Sequence, residues 1–142
     1  TEVKSGQALP DLIVENIYTY NDSQHSRFSM GVGMAEWHGV ACPGTFRSSL
    51  QGVDKMGIIH DAISFNSDKA FVDTRFWDPQ DNACSEMYHS LDFYFPNVSA
   101  TDIILLKPKI DVDNEVEETN EENNSLSFSG SFMDRNYWYK KK

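Results

Sequence analysis

Between residues 28 and 34 the chain alternates without a break: Phe28, Met30, Val32 and Met34 fall on one side, Ser29, Gly31 and Gly33 on the other. Successive side chains of a strand point to opposite faces, so a period of two predicts a half-buried β-strand, with small residues opposite the apolar ones leaving room for close packing. Further extended segments are predicted at 12–20, 45–50, 58–65, 70–77 and 91–95. They are separated by turn-forming clusters such as Asn21-Asp22-Ser23, Pro43-Gly44 and Asn66-Ser67-Asp68. The apolar run 103–110 predicts a strand buried on both faces, with Pro108 near its edge. Alternation returns at Leu126, Phe128 and Phe132. Apolar residues seldom recur at the three-and-four spacing of a helix, which predicts an all-β protein: an antiparallel sandwich of about seven strands.

The connection between 103–110 and 126–132 is the most unusual stretch. Residues 111–122 carry seven carboxylates and no base, and four Asn are interleaved through Asn124. Asn and Asp bond their own backbone and tolerate left-handed conformations, so a solvated strand-to-strand crossover is one reading. The other is a hard-cation site. Calcium takes six to eight oxygens from carboxylates and carbonyls. Asp111, Asp113, Asn114 and Glu115 alternate as a loop able to wrap an ion, with Glu118 and Asn120 placed to complete the shell. The spacing is not that of an EF-hand, lacking the mid-loop Gly and the closing Glu.

The same stretch, with residues 10–14 (Pro-Asp-Leu-Ile-Val), resembles the two ends of the CARDB domain, a cell-adhesion-related family of prokaryotic surface proteins. Residues 28–34 followed by Gly39 and residues 41–46 (Ala-Cys-Pro-Gly-Thr-Phe) are similar to its second strand, glycine turn and entry to the third. The likeness covers about 10–50 and 103–133. It departs at residues 36–39 (Glu-Trp-His-Gly), where the family carries Asn-x-Gly, and in a longer, more aromatic middle. The resemblance implies an immunoglobulin-like sandwich over 10–133, leaving an N-terminal arm at 1–9 and an aromatic, basic tail at 134–142. It also implies a structural or adhesive role outside the cell.

Composition narrows the classes. The 142 residues carry a net charge of -10, which argues against a nucleic-acid backbone as partner, since that needs clustered Lys and Arg. Aromatic residues at 13% suit a sandwich of short strands. No run reaches the roughly 18 apolar residues of a membrane-spanning helix. Thr1 in place of a start Met fits an exported chain whose signal has been removed, and equally a trimmed one. Cys42 and Cys84 sit in polar, turn-like settings, which favours a disulfide between them over two free thiols. Closing that loop would stabilise by about 4 kcal/mol in the chain-entropy view.

Recognised catalytic signatures are missing, and His25, His38, His60 and His89 are scattered. A non-enzymatic surface protein is therefore expected. Tyr137, Trp138 and Tyr139, with Lys140, Lys141 and Lys142, form the expected partner-binding segment. The arm or the tail of one copy would add as a strand to the next and build a filament, or meet other surface proteins. The alternatives are a secreted monomeric module binding carbohydrate or protein through Trp37, Trp77, Tyr88 and Tyr94, and, behind it, an enzyme or inhibitor with an unrecognised site.

Overall fold

A computed structural model describes residues 9, 11–21, 26–34, 44–75, 88–116, 118, 124–131 and 137–141. Ten strands run through them: β1 (Leu12–Asn21), β2 (Ser26–Met34), β3 (Thr45–Asp54), β4 (Ile59–Asp61), β5 (Ile63–Ser64), β6 (Phe71–Arg75), β7 (Tyr88–Tyr94), β8 (Ile103–Lys109), β9 (Phe128–Ser129) and β10 (Tyr137–Lys140). A 3-10 turn at Ala100–Asp102 is capped by Ser99. The strands form two antiparallel sheets, which makes the protein an all-β sandwich. Sheet one has the order β10-β1-β2-β7-β5. Sheet two has the order β4-β3-β8-β9, with β6 also on β3. Ser49 of β3 pairs with Lys109 of β8 on one side and Phe71 of β6 on the other, so β4 and β6 share one edge.

The alternation read in the sequence becomes the core. Leu12, Val14, Ile17, Phe28, Met30, Val32 and Phe93 point inward from sheet one against Phe46, Leu50, Ile103, Leu106 and Ile110 of sheet two. Each such side chain, taken fully out of water, contributes about 1.5–3 kcal/mol. Phe28 meets Phe95 edge-on, with centroids 5.2 Å apart.

Three expectations need correction. The 58–65 segment is two short strands in different sheets. Ala62 is fully buried between them, its N–H donating to the Leu50 carbonyl, so β4 closes the edge of sheet two and β5 crosses to sheet one. The strand buried on both faces is β2, not β8. β2 is flanked by β1 and β7, and even outward-facing Ser29 is covered, lying in a row between Tyr18 and Asp92 and sharing a 2.8 Å hydrogen bond with Ser90. In β8, Ile104 is exposed at the point where the register against β3 shifts. Finally, the sandwich does not end at residue 133: β10 pairs with β1 and buries Trp138.

Candidate interaction surface

The acidic crossover is tied to the sandwich from inside. Asp111 is left-handed at φ 53°, a conformation Asp and Asn tolerate better than other side chains, and Asn114 follows it at φ 51°. The Asp111 carboxylate accepts the N–H of Glu115 through Oδ1 and of Val116 through Oδ2, both at 2.9 Å, while its carbonyl accepts the Asn114 N–H. Glu118, 6% exposed, reaches across 106 residues to accept the Leu12 N–H at 2.8 Å, and its other oxygen accepts Asn124 Nδ2 at 2.6 Å. Of these two expected cation ligands, Asp111 thus folds the crossover back on itself and Glu118 holds it onto β1. Asp113, Asn114 and Glu115 are exposed, with Asp113 Oδ2 3.4 Å from Arg47 Nε. The Arg47 guanidinium also lies over the Phe71 ring at 4.5 Å. Asn120 lies outside the described residues, and among those described no three His, Cys, Asp or Glu side chains converge.

Cys42 and Cys84 also lie outside the described residues, as do Lys142, Trp37, Trp77 and the side chain of Tyr88. The aromatic segment read as a free tail turns inward. Trp138 packs against Phe28 with centroids 6.2 Å apart, and Tyr139 stacks on Phe128 of the opposite sheet at 4.3 Å. Tyr137 lies near Tyr18 on the outer face at 5.6 Å. Lys140 is exposed and stands 5.6 Å over the Tyr137 ring, and the Lys141 N–H donates to the Glu15 carbonyl at 2.7 Å. Tyr94, the remaining aromatic of the expected ligand surface, packs on Phe65 at 4.8 Å.

The exposed apolar surface lies elsewhere, on the β3–β4 hairpin. Its loop, residues 55–57, is a type I turn closed by a 2.9 Å bond from the Gly57 N–H to the Asp54 carbonyl. Gly57 then takes φ +85°, the left-handed position that this three-residue loop requires. Asp54 organises the turn: Oδ1 accepts the N–H groups of Met56 and Ile58 at 2.8 and 3.0 Å, and Oδ2 pairs with His60 Nε2 at 2.8 Å. The His60 hydrogen bond first, and the Ile58 N–H second, hold the Asp54 carboxyl below its ordinary pKa. This scaffold presents Met56 at 84% exposure, Ile58 and Ile59 at 56% each and, across the sheet, Ile104 at 39%. Sequence reading placed a strand here but not its exposure. Gly57, between Met56 and Ile58 just after Asp54-Lys55, was the available turn signal.

β4 is a terminal strand, and its backbone phase follows from its bonds. The Ile58 carbonyl accepts from Asp54 N–H and the Ala62 N–H donates to Leu50, so even-numbered residues face β3. The N–H and C=O of Ile59 and Asp61 therefore point to the open edge. On the outer face Val53 pairs with Ile59 and Gln51 with Asp61, whose Oδ1 accepts Gln51 Nε2 at 2.7 Å. A polar cleft of about 380 Å³ opens further along this edge, lined among others by Ser64, Asn66, Lys69, Phe71, Asp73 and Asp92.

No family model, no curated protein and no solved structure matches the chain. Among the described residues no helix is long and apolar enough to cross a membrane.

Proposed function

We propose that this chain is a non-enzymatic structural or adhesion module of a prokaryotic cell surface, exported and working by contact with surface proteins or further copies of itself. The observation that carries the reading is the apolar hairpin: Met56, Ile58 and Ile59, with Ile104 across the sheet, are the exposed large aliphatic side chains among the described residues. Exposed large apolar side chains gathered on and beside one hairpin mark a contact site. The residue-level likeness to CARDB domains at 10–50 and 103–133 supports the same class. Immunogold labelling and protease shaving of intact source cells test it, together with light scattering of the purified protein. Labelling at the surface is expected, and a pool confined to the cytoplasm refutes the reading.

The second reading is a secreted module for a small polar ligand such as a saccharide. Its support is the polar cleft, whose size falls within the range of ligand sites and which places hydroxyl, amide, ammonium and carboxylate groups beside Phe71. A glycan array positive for this protein, with the signal lost in Asp73→Ala, would favour it over contact through the hairpin.

A further inference from the structure

We propose that the β4 edge takes an added strand from a partner protein, and that the partner segment reads, from N to C terminus, Lys or Arg, any residue, then Ile or Val. The proposal deepens the contact-module reading and rests on it. Backbone phase decides the form of the occupant: the open N–H and C=O groups of Ile59 and Asp61 are two residues apart, the spacing at which an antiparallel strand exchanges pairs of hydrogen bonds. This is the β-augmentation mode, in which main-chain bonds bind and alternate side chains select.

Side chains on the outer face decide the partner's chemistry. Opposite Ile59, the added strand meets an apolar row that runs from Leu105 through Val53, with exposed Ile104 next to Leu105 in the chain and Met56 at the hairpin tip. A β-branched residue fits there. Two positions away it meets Asp61, exposed and held by Gln51 through Oδ1 alone, which leaves Oδ2 for a cation. The chain's charge of -10 favours the same basic partner over a distance.

A second copy fits the edge less well. Two-fold pairing of β4 with itself sets each Ile59 against the other chain's Asp61 when centred on His60, and when centred on Ile59 sets each Asp61 against Gly57, with no cation opposite the carboxylate. Two chains of like charge must also approach. The edge is blunted by its brevity, since Ala62 turns into the core, and this limits the added strand to a few residues.

The experiment uses the full chain and a labelled peptide, Thr-Val-Lys-Thr-Ile-Thr-Val, with a twin carrying Glu in place of Lys. Fluorescence anisotropy reads affinity, and amide hydrogen exchange by NMR reads the site. Saturable, salt-sensitive binding of the Lys peptide is expected, with new protection at the Ile59 and Asp61 amides. Binding should weaken by about tenfold or more for the Glu twin and for Asp61→Lys. Both residues are exposed, so the fold should persist. Circular dichroism checks this, and Asp61→Asn replaces Asp61→Lys if the latter unfolds. No saturation at millimolar peptide, equal affinity for the two peptides, or protection at β5, β9 or β10 overturns the proposal. So does a dimer of the free protein that Ile59→Thr dissolves, since a second copy then occupies the edge. None of these failures touches surface labelling of cells, so the broader function stands or falls separately.

Discussion

Replacing Trp138 with Ala should cost about 3–5 kcal/mol, because a large indole leaves a core that relaxes only in part. The side chain is 4% exposed, lies against Phe28, and sits on a strand held to β1 through Asn16, Ile17 and Tyr18. For a domain of this size the loss corresponds to a Tm lower by about 10–15 °C. Trp138→Phe should behave differently. The indole Nε1–H is buried with no hydrogen-bond partner among the described residues, so the phenyl ring sheds that donor while keeping much of the apolar contact. A net cost of about 1 kcal/mol or less is expected for it. Urea unfolding followed by far-UV circular dichroism separates the two variants without using tryptophan emission, which the substitutions themselves change. The reasoning fails if Trp138→Ala lies within about 0.5 kcal/mol of wild type, the range of an ordinary surface substitution. It also fails if Phe proves as damaging as Ala. A chain ending at residue 133 would lose β10 entirely and should be less stable than either variant, whereas a tail outside the sandwich would be removed at no cost.

Other consequences are as specific. Gly52→Ala should destabilise by about 1–3 kcal/mol, since its Cβ would fall 2.7 Å from Phe95 Cζ and 3.1 Å from Ile103 Cδ1 in a packed core; a melting curve unchanged by it would show that Phe95 yields freely. Glu118→Ala takes the acceptor from the buried Leu12 N–H and removes the bond to Asn124 Nδ2 and should cost about 2–4 kcal/mol, with Glu118→Gln intermediate; equal midpoints in urea for all three proteins would break the inference. Asp54 has its folded pKa below the ordinary 3.8, so its stabilisation is fully present above that value and disappears as pH falls through the lowered one. Wild type should therefore melt higher than Asp54→Asn near pH 6, with the gap closing in strong acid; a constant gap from pH 6 to 2 contradicts the assignment. Because the Asp111 and Glu118 carboxylates already accept internal donors, chelator and millimolar calcium should leave Tm unchanged, and a rise with calcium would show that the exposed acids and Asn120 assemble a site.

Local alternation was enough to reveal the strand class and the inward faces. Phe28, Met30, Val32 and Met34 occupy the core as their period of two implies, and Asn66, Ser67 and Asp68 lie between β5 and β6. The acidic stretch was legible as a crossover for a similarly local reason, because Asp and Asn make turns with their own backbone. Asp111 does so with Glu115 and Val116, four and five residues away. Partners distant in sequence carry no such trace. Trp138 is core because β1 and Phe28 receive it, and Glu118 is a brace because Leu12, 106 residues earlier, offers it an N–H. The break at Ala62 was hidden because residues 58–65 look equally extended whether they follow one sheet or cross to the other. The apolar hairpin was hidden as well, since Met56, Ile58 and Ile59 have the composition of core residues. Periodicity says which side chains share a face, but exposure depends on what packs against that face, and in a sandwich of long-range pairings only the assembled sheets decide it.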